Sequence, residues 1–346
     1  METERDFRGA NRLLSSESAV ATRTAKLASP IVMAAPVLRI ATFHSSSLGS
    51  LVASLPALVA LRDSFPGARI CSYARAPLLP ILENFSGVDE AHPRPGGGLS
   101  SQAALMARLH GANYDLALSF SQGSNALLLM WATGAPVRAG FIPSRMDALL
   151  THKIAKQGSL RALDGLELAR GVGATSRGEK ALHFLRISPE ITARARKLCE
   201  DANISRDFLV VSTEARKSGE DGKSGEDGAP TSAKTPVSAA MIRELSARFD
   251  LVLVGAKPKT ALLSEVKSGR IESENAKGES AHQILDLGGK TDVLTLAALC
   301  EMSRGVFGIG NGVLQLGKFY EKPVAAPREG EPESESVARA LQLFGF

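Results

Sequence analysis

The sequence predicts an α/β protein made of two doubly wound, parallel-sheet lobes that face a common cleft. Three observations predict it. Residues 38–62, LRIATFHSSSLGSLVASLPALVALR, hold a short apolar strand run, a Ser/Gly turn and a helix with small residues in its first turns. Residues 289–326, GKTDVLTLAALCEMSRGVFGIGNGVLQLGKFYEKPVAA, repeat the strand, Gly turn and helix near the other end of the chain. Between the two, short apolar runs alternate with helical periodicity, as a parallel sheet covered on both faces requires.

The elements follow in order. An apolar strand at 38–43 leads to a helix at 51–64, which stops before Pro66. A second strand spans 68–74, followed by a helix at 78–85, a Pro/Gly loop at 93–98 and a helix at 101–109. A buried strand at 114–120, a helix at 124–133 and a strand at 137–141 come next. The stretch 143–176 has no strand run and holds one helix, 163–172, closed by Gly173. The bridge between lobes falls at 177–186, so the first Rossmann-like lobe covers 37–185 and the second 186–328.

The second lobe opens with a helix at 189–202 and a strand at 208–212. Then comes KSGEDGKSGEDG at 217–228, a perfect tandem hexapeptide with nothing to bury, which predicts a flexible insertion over 217–233. The pattern resumes with a helix at 237–249, a strand at 251–254 and a helix after Pro258. A polar loop at 268–282, a strand at 284–287, a helix at 293–303, a strand at 306–310, a helix at 313–319 and a strand at 324–326 complete it. The remaining residues, 329–346, read as an acidic linker and a last helix, 337–344, expected to pack back across the first lobe.

Composition bounds the function. The chain has 346 residues, 44% apolar and 22% charged, enough for two cores and too apolar for wholesale disorder. A net charge of +5 favours anionic partners such as phosphorylated ligands or an anionic membrane surface, and equally describes an ordinary basic surface. There is no Lys/Arg block interleaved with aromatics, so nucleic acid is not an expected partner. Cys71, Cys199 and Cys300 lie far apart in apolar surroundings, which predicts buried, reduced thiols and a reducing compartment. His92, His110, His152, His183 and His282 are scattered without metal-ligand spacing; neither a metal nor a cofactor is expected. No apolar run is long enough to span a membrane. Residues 1–36 carry charges, Ser and Thr without periodicity and read as a disordered leader or a misassigned start. Their Arg and Ser content also fits a transit peptide, against which the early acidic residues argue.

Two strand-to-helix turns are candidate ligand sites: His44 to Ser50, and Gly308 to Gly312. A helix N-terminus at the carboxyl end of a strand favours phosphate, and glycine lets a diphosphate approach the backbone. Gly289-Lys290-Thr291 looks like the tail of a phosphate-binding P-loop, but the required earlier glycine is Ile284. Thr291 is better read as the cap of a helix that begins at Asp292.

The order of these motifs resembles glycosyltransferase family 9, the ADP-heptose:lipopolysaccharide heptosyltransferases. Ser46-Ser47-Leu48-Gly49, Pro56, Ala60-Leu61-Arg62 and Phe65-Pro66-Gly67-Ala68-Arg69-Ile70 are similar to its N-terminal signature. Tyr114-Asp115-Leu116, Gln122-Gly123-Ser124 and Arg138-Ala139-Gly140-Phe141 resemble its second block. Gly289-Lys290-Thr291 with Leu296-Ala297-Ala298-Leu299, then Gly308, Gly312, Leu316 and Lys322-Pro323-Val324, resemble its third and fourth. The resemblance implies a GT-B fold and a metal-independent, inverting transfer in the cytoplasm or at the inner membrane surface. The donor would be a nucleoside-diphosphate sugar of the ADP-heptose type, and the acceptor a glycolipid or glycan. It further implies that Gly308, Gly310, Asn311, Gly312 and Gln315 surround the donor diphosphate and that Lys234 faces its charge.

The chain departs from the family at the catalytic positions. The family's carboxylate base falls at Ser50, and a neutral hydroxyl does not accept a proton at neutral pH as a carboxylate does. The family's Asp-Ser-Gly-Pro-x-His becomes Gly310-Asn311-Gly312-Val313-Leu314-Gln315, without acid or histidine. Its glycine-containing turn at the start of the second lobe reads Ser212-Thr213-Glu214. His44, where the family has arginine, is the candidate substitute base, and a polar strand-end histidine without a catalytic task is the competing reading. Two functional classes stay open: an active glycosyltransferase, or a catalytically inactive protein that binds nucleotide-sugar, glycan or a partner. A nicotinamide enzyme is disfavoured, because no GxGxxG follows the first strand and no acidic residue ends the second.

Overall fold

The computed structural model describes residues 36–95, 99–156, 162–178, 181–204, 207–213, 236–274 and 282–345. In the first lobe, β1 (Arg39–Phe43), β2 (Arg69–Ala74), β3 (Glu90–Pro93), β4 (Leu116–Ser119), β5 (Val137–Ile142) and β6 (His152–Ala155) pair in parallel. Their order is β3-β2-β1-β4-β5-β6. In the second, β7 (Phe208–Ser212), β8 (Asp250–Val254), β9 (Ile284–Asp286), β10 (Gly305–Gly308) and β11 (Val324–Ala325) are also parallel, in the order β11-β10-β7-β8-β9. Each sheet reverses direction beside its own first strand, between β1 and β4 and between β7 and β10. Those two points are where a doubly wound sheet opens a crevice for ligand.

Eleven α-helices cover the sheets among the described residues: α1 (Leu48–Ser64), α2 (Leu79–Glu83), α3 (Leu99–His110), α4 (Ser124–Ala132), α5 (Ala162–Gly171), α6 (Pro189–Glu200), α7 (Ala239–Ser246), α8 (Thr260–Glu274), α9 (Val293–Met302), α10 (Asn311–Phe319) and α11 (Glu333–Phe344). Helix α1 is apolar on all sides, the pattern of a helix with no solvent face. It packs on α5 within the first lobe and on α10 of the second. The side chains of one face of each sheet merge in a single core that runs from Ile40, Leu58 and Leu118 to Val210, Val254 and Leu316. The opposite faces close separately, around Phe43, Tyr73 and Leu127 in the first lobe and around Leu209, Phe249 and Phe307 in the second.

The predicted alternation appears in the structure, with differences that have local causes. β3 and β6 were not expected; they are sheet-edge strands of sequence Glu-Ala-His-Pro and His-Lys-Ile-Ala, which pair on one side and need no continuous apolar run. Helix α8 continues to Glu274, into the stretch expected to be loop from 268. Helix α1 begins three residues earlier than its apolar periodicity, because the Ser47 hydroxyl caps it by accepting from the Ser50 N–H at 3.2 Å. The cap of α9 is Asp292 rather than Thr291: its carboxylate accepts from the Thr295 N–H at 2.7 Å. Helix α11 packs on α7 and β11 of its own lobe, correcting the expectation that it crosses to the first; Phe344 meets Phe249 edge-on and its carbonyl accepts from Arg304. Residues 1–35, the tandem hexapeptide and Lys234 lie outside the described residues. No described helix is long and apolar enough to cross a membrane.

Gly308 shows how closely the second switch point is packed. Its φ is +130°, and a Cβ there would lie 2.0 Å from the Ser212 carbonyl oxygen, which accepts from the Ile309 N–H at 2.9 Å. Gly308→Ala is therefore expected to lose about 3 kcal/mol or more of stability in urea titration. Gly67→Ala, which has open space at that position, should stay within about 0.5 kcal/mol.

Candidate functional site

The candidate site lies where α1 and α10 begin. Each helix follows directly on the carboxyl end of a switch-point strand, α1 on β1 and α10 on β10. Their first turns touch: a Cβ on Gly312 would come 3.2 Å from Cβ and Cδ2 of Leu48. This contact sets two positive helix ends side by side, one from each lobe. The start of α1 is occupied by its own cap, Ser47. The start of α10 has Gly310 at the cap position, with φ +96° and no side-chain capping bond. Among the described residues no side chain caps its first-turn N–H groups.

Beside α10, at the end of β7, the Thr213 hydroxyl is buried and makes no hydrogen bond among the described residues. A buried hydroxyl without a partner is costly, and its position at the β7/β10 crevice makes it a ready contact for a ligand oxygen. Gly310, Asn311, Gly312 and half-buried Gln315 are brought together here on the first turns of α10. Gly308 is buried below them, and its glycine is explained by the close approach of Ser212 rather than by ligand.

On the first-lobe side the lining is rich in hydroxyls. Ser50 is half-buried; its Oγ accepts from the Ser47 hydroxyl at 2.7 Å. At the end of β4, the Gln122 amide donates to the Pro143 carbonyl at 2.7 Å and its oxygen accepts from the Lys156 ammonium at 2.9 Å. Lys156 was not singled out from sequence, because the strand that delivers it, β6, was not. The turns 44–50, 120–124 and 309–315 contain no carboxylate.

His44 does not reach this lining. It is fully buried beneath α1 and stacked on Phe120 at 5.2 Å. Both ring nitrogens are engaged, and the bonds fix the tautomer. Ser54 Oγ donates its one proton to the Leu51 carbonyl at 2.7 Å, so toward His44 Nδ1, at 3.0 Å, it accepts. Nδ1 therefore carries the ring proton, and Nε2 accepts from Thr42 Oγ1 at 3.2 Å; Thr42 in turn accepts from Ser72 at 2.7 Å. Burial, and then the charge of buried Arg94, lower the His44 pKa to about 3. A general base needs a free nitrogen within reach of the acceptor and a pKa near working pH. His44 has neither, which corrects its assignment as the substitute base: it is a neutral packing element between β1, β2 and α1.

Fold and site together define a two-lobed protein with the GT-B fold, whose second lobe presents a helix start without a side-chain cap. The chain is similar to a glycosyl transferase family 9 structure from Veillonella parvula at 17% identity, TM-score 0.64, over 86% of this chain and 83% of that one. It is similar to E. coli ADP-heptose LPS heptosyltransferase II at 17% identity, TM-score 0.60, over 84% of each. A UDP-GlcNAc 2-epimerase from Methanocaldococcus jannaschii follows at 10% identity, TM-score 0.50, over 89% of this chain and 93% of that one. No protein-family model and no curated protein matches the sequence. The resemblance to family 9 is thus one of fold, and fold alone does not choose between transfer and epimerisation.

The buried histidine makes a pH prediction. The folded ring stays neutral down to about pH 3, whereas in the unfolded chain it takes up a proton near the ordinary value of about 6.5. The unfolded state then binds more protons within that window, so this contribution is complete above pH about 6.5 and is lost progressively as pH falls toward 3. Urea midpoints measured from neutral pH down to about 4.5 should fall less steeply for His44→Gln than for the wild type. Equal slopes would show that the ring is not held neutral.

Proposed function

We propose that the protein binds a nucleoside-diphosphate sugar of the ADP-heptose type in its second lobe and transfers the sugar to a glycan or lipopolysaccharide-like acceptor. The observation that carries this reading is the start of α10. Its Gly310 cap position has no side-chain bond, and it lies beside the Thr213 hydroxyl, which has no partner among the described residues, at the β7/β10 crevice. That arrangement offers N–H groups, a positive helix end and a hydroxyl to a diphosphate. Lys234 supplies the counter-charge in this reading, and Gly310, Asn311, Gly312 and Gln315 line the donor. In transfer with inversion, an acceptor hydroxyl attacks the anomeric carbon, the carbon–diphosphate bond breaks, and the hydroxyl proton must go to a base. The reaction needs no metal when fixed positive groups hold the leaving diphosphate. The acceptor lies against the Ser47, Ser50 and Gln122 face, and a cytoplasmic site at the inner membrane surface suits a glycolipid.

A second reading, binding without turnover, is favoured by a specific observation. The three described turns hold no carboxylate, and the histidine nearest them is buried with both nitrogens bonded. Ser50 can orient a hydroxyl but does not remove its proton at neutral pH.

Thermal-shift titration with ADP, UDP, GDP and ADP-heptose tests the shared premise. ADP and ADP-heptose should stabilise the protein, and Lys234→Ala should weaken that binding about 10-fold, the value of one charge-assisted hydrogen bond. Absence of stabilisation by every nucleotide overturns both readings. Release of ADP from ADP-heptose on addition of a lipopolysaccharide-core acceptor then separates them: turnover supports the transferase, and tight binding without release supports the inactive one.

A further inference from the structure

On the other face of the first sheet, away from α1 and the candidate site, three side chains with metal-binding atoms converge. Cys71 is the third residue of β2, and the parallel register sets Glu90 of β3 directly opposite it. His92 follows two residues later on the same face as Glu90, opposite Tyr73. The Cys71 sulfur, a Glu90 carboxylate oxygen and a His92 ring nitrogen all lie within 4.8 Å of one another. This is the group of its kind among the described residues.

We propose that Cys71, Glu90 and His92 form a binding site for a divalent transition-metal ion of the zinc type. The donor set argues for that class: a thiolate with an imidazole suits zinc and its neighbours, whereas magnesium and calcium take oxygen donors. Metal–ligand lengths of about 2.0–2.3 Å put the donors of one tetrahedral site roughly 3.5 Å apart, so the three close on an ion by modest side-chain rotation. Cys71 is fully buried, while the Glu90 and His92 side chains keep 28% and 25% of their surface exposed, which leaves them room to move and the ion a way in.

The surroundings are those of a supported site. His92 Nε2–H donates to Glu90 Oε2 at 2.7 Å, and the ion takes the place of that proton. Arg69 Nε holds the other carboxylate oxygen, Oε1, at 2.5 Å, and fixes its orientation from outside. The Tyr114 hydroxyl is hydrogen-bonded to the Tyr73 hydroxyl at 2.8 Å. The Tyr73 ring lies 5.2 Å from that of His92. Burial pushes the Cys71 thiol up, so it is protonated without metal. On binding, the thiol proton is released to solvent, the imidazole proton moves from Nε2 to Nδ1, and the divalent ion is neutralised by one thiolate and one carboxylate. The fourth position is left to water.

The test uses the full chain and the metal alone. After treatment with a chelator and its removal, Co²⁺ is added as a probe for Zn²⁺, and the thiolate-to-cobalt charge-transfer band is recorded in the near ultraviolet. One equivalent of cobalt, displaced by zinc, is expected, with the band lost in Cys71→Ser and binding weakened at least 10-fold in His92→Ala. His92→Ala alters a partly exposed edge residue and keeps the test meaningful if Cys71→Ser fails to fold. Absence of the band in the wild-type protein, or a band that survives unchanged in His92→Ala, overturns the site.

Discussion

The contact between Leu48 and Gly312 is the constraint on which the rest of the arrangement depends. The two parallel sheets with their own helices are joined chiefly through α1, with a smaller contact between α2 and α9. Helix α1 has no polar face, so it must be covered on every side, and the first lobe covers only part of it. Helix α10 completes the cover, and the absence of a side chain at Gly312 lets its first turn close on Leu48. One consequence is a core continuous between the lobes. Another is that two helix ends, and so two sources of positive potential, share one region.

Much of this was legible in the chain, and what was not has a common physical cause. Short apolar runs such as 38–43 and 208–212 are buried on both faces, and burial writes itself into composition. The strands that escaped notice, β3 and β6, are edges, where one face or one side needs nothing apolar. The Ser/Gly turns and the second-lobe glycines could be placed from sequence because strand-to-helix turns repeat a local grammar. The failure of His44 as a base could not: its burial and the Thr42, Ser54 and Ser72 bonds depend on which residues of β2 and α1 come above and beside it. The Cys71, Glu90 and His92 group is hidden for the same reason. Its members stand far apart in the chain, with no metal-ligand spacing, and meet only through the register of β2 against β3.

The polar residues that line the two halves differ in kind. Among the described residues the second lobe presents donors without partners, the open start of α10 and the Thr213 hydroxyl, which suit an anion. The first presents hydroxyls already bonded to one another, as between Ser47 and Ser50, with the Lys156 ammonium held by Gln122. Such a surface can orient a hydroxylated acceptor through exchange of hydrogen bonds at little net cost.

That asymmetry decides what chemistry is within reach. An inverting displacement removes one proton from the acceptor and creates negative charge on the departing diphosphate. In the proposed transfer, the positive helix end of α10 answers the second demand. No residue of the described turns meets the first, because Ser50 is neutral and His44 is closed off by its own bonds. A transfer that drew on these turns alone would send the proton to the substrates themselves, most simply to an oxygen of the leaving diphosphate as its charge develops. In the proposed transfer the diphosphate is thus both the group that the start of α10 suits and the base that the described turns do not provide.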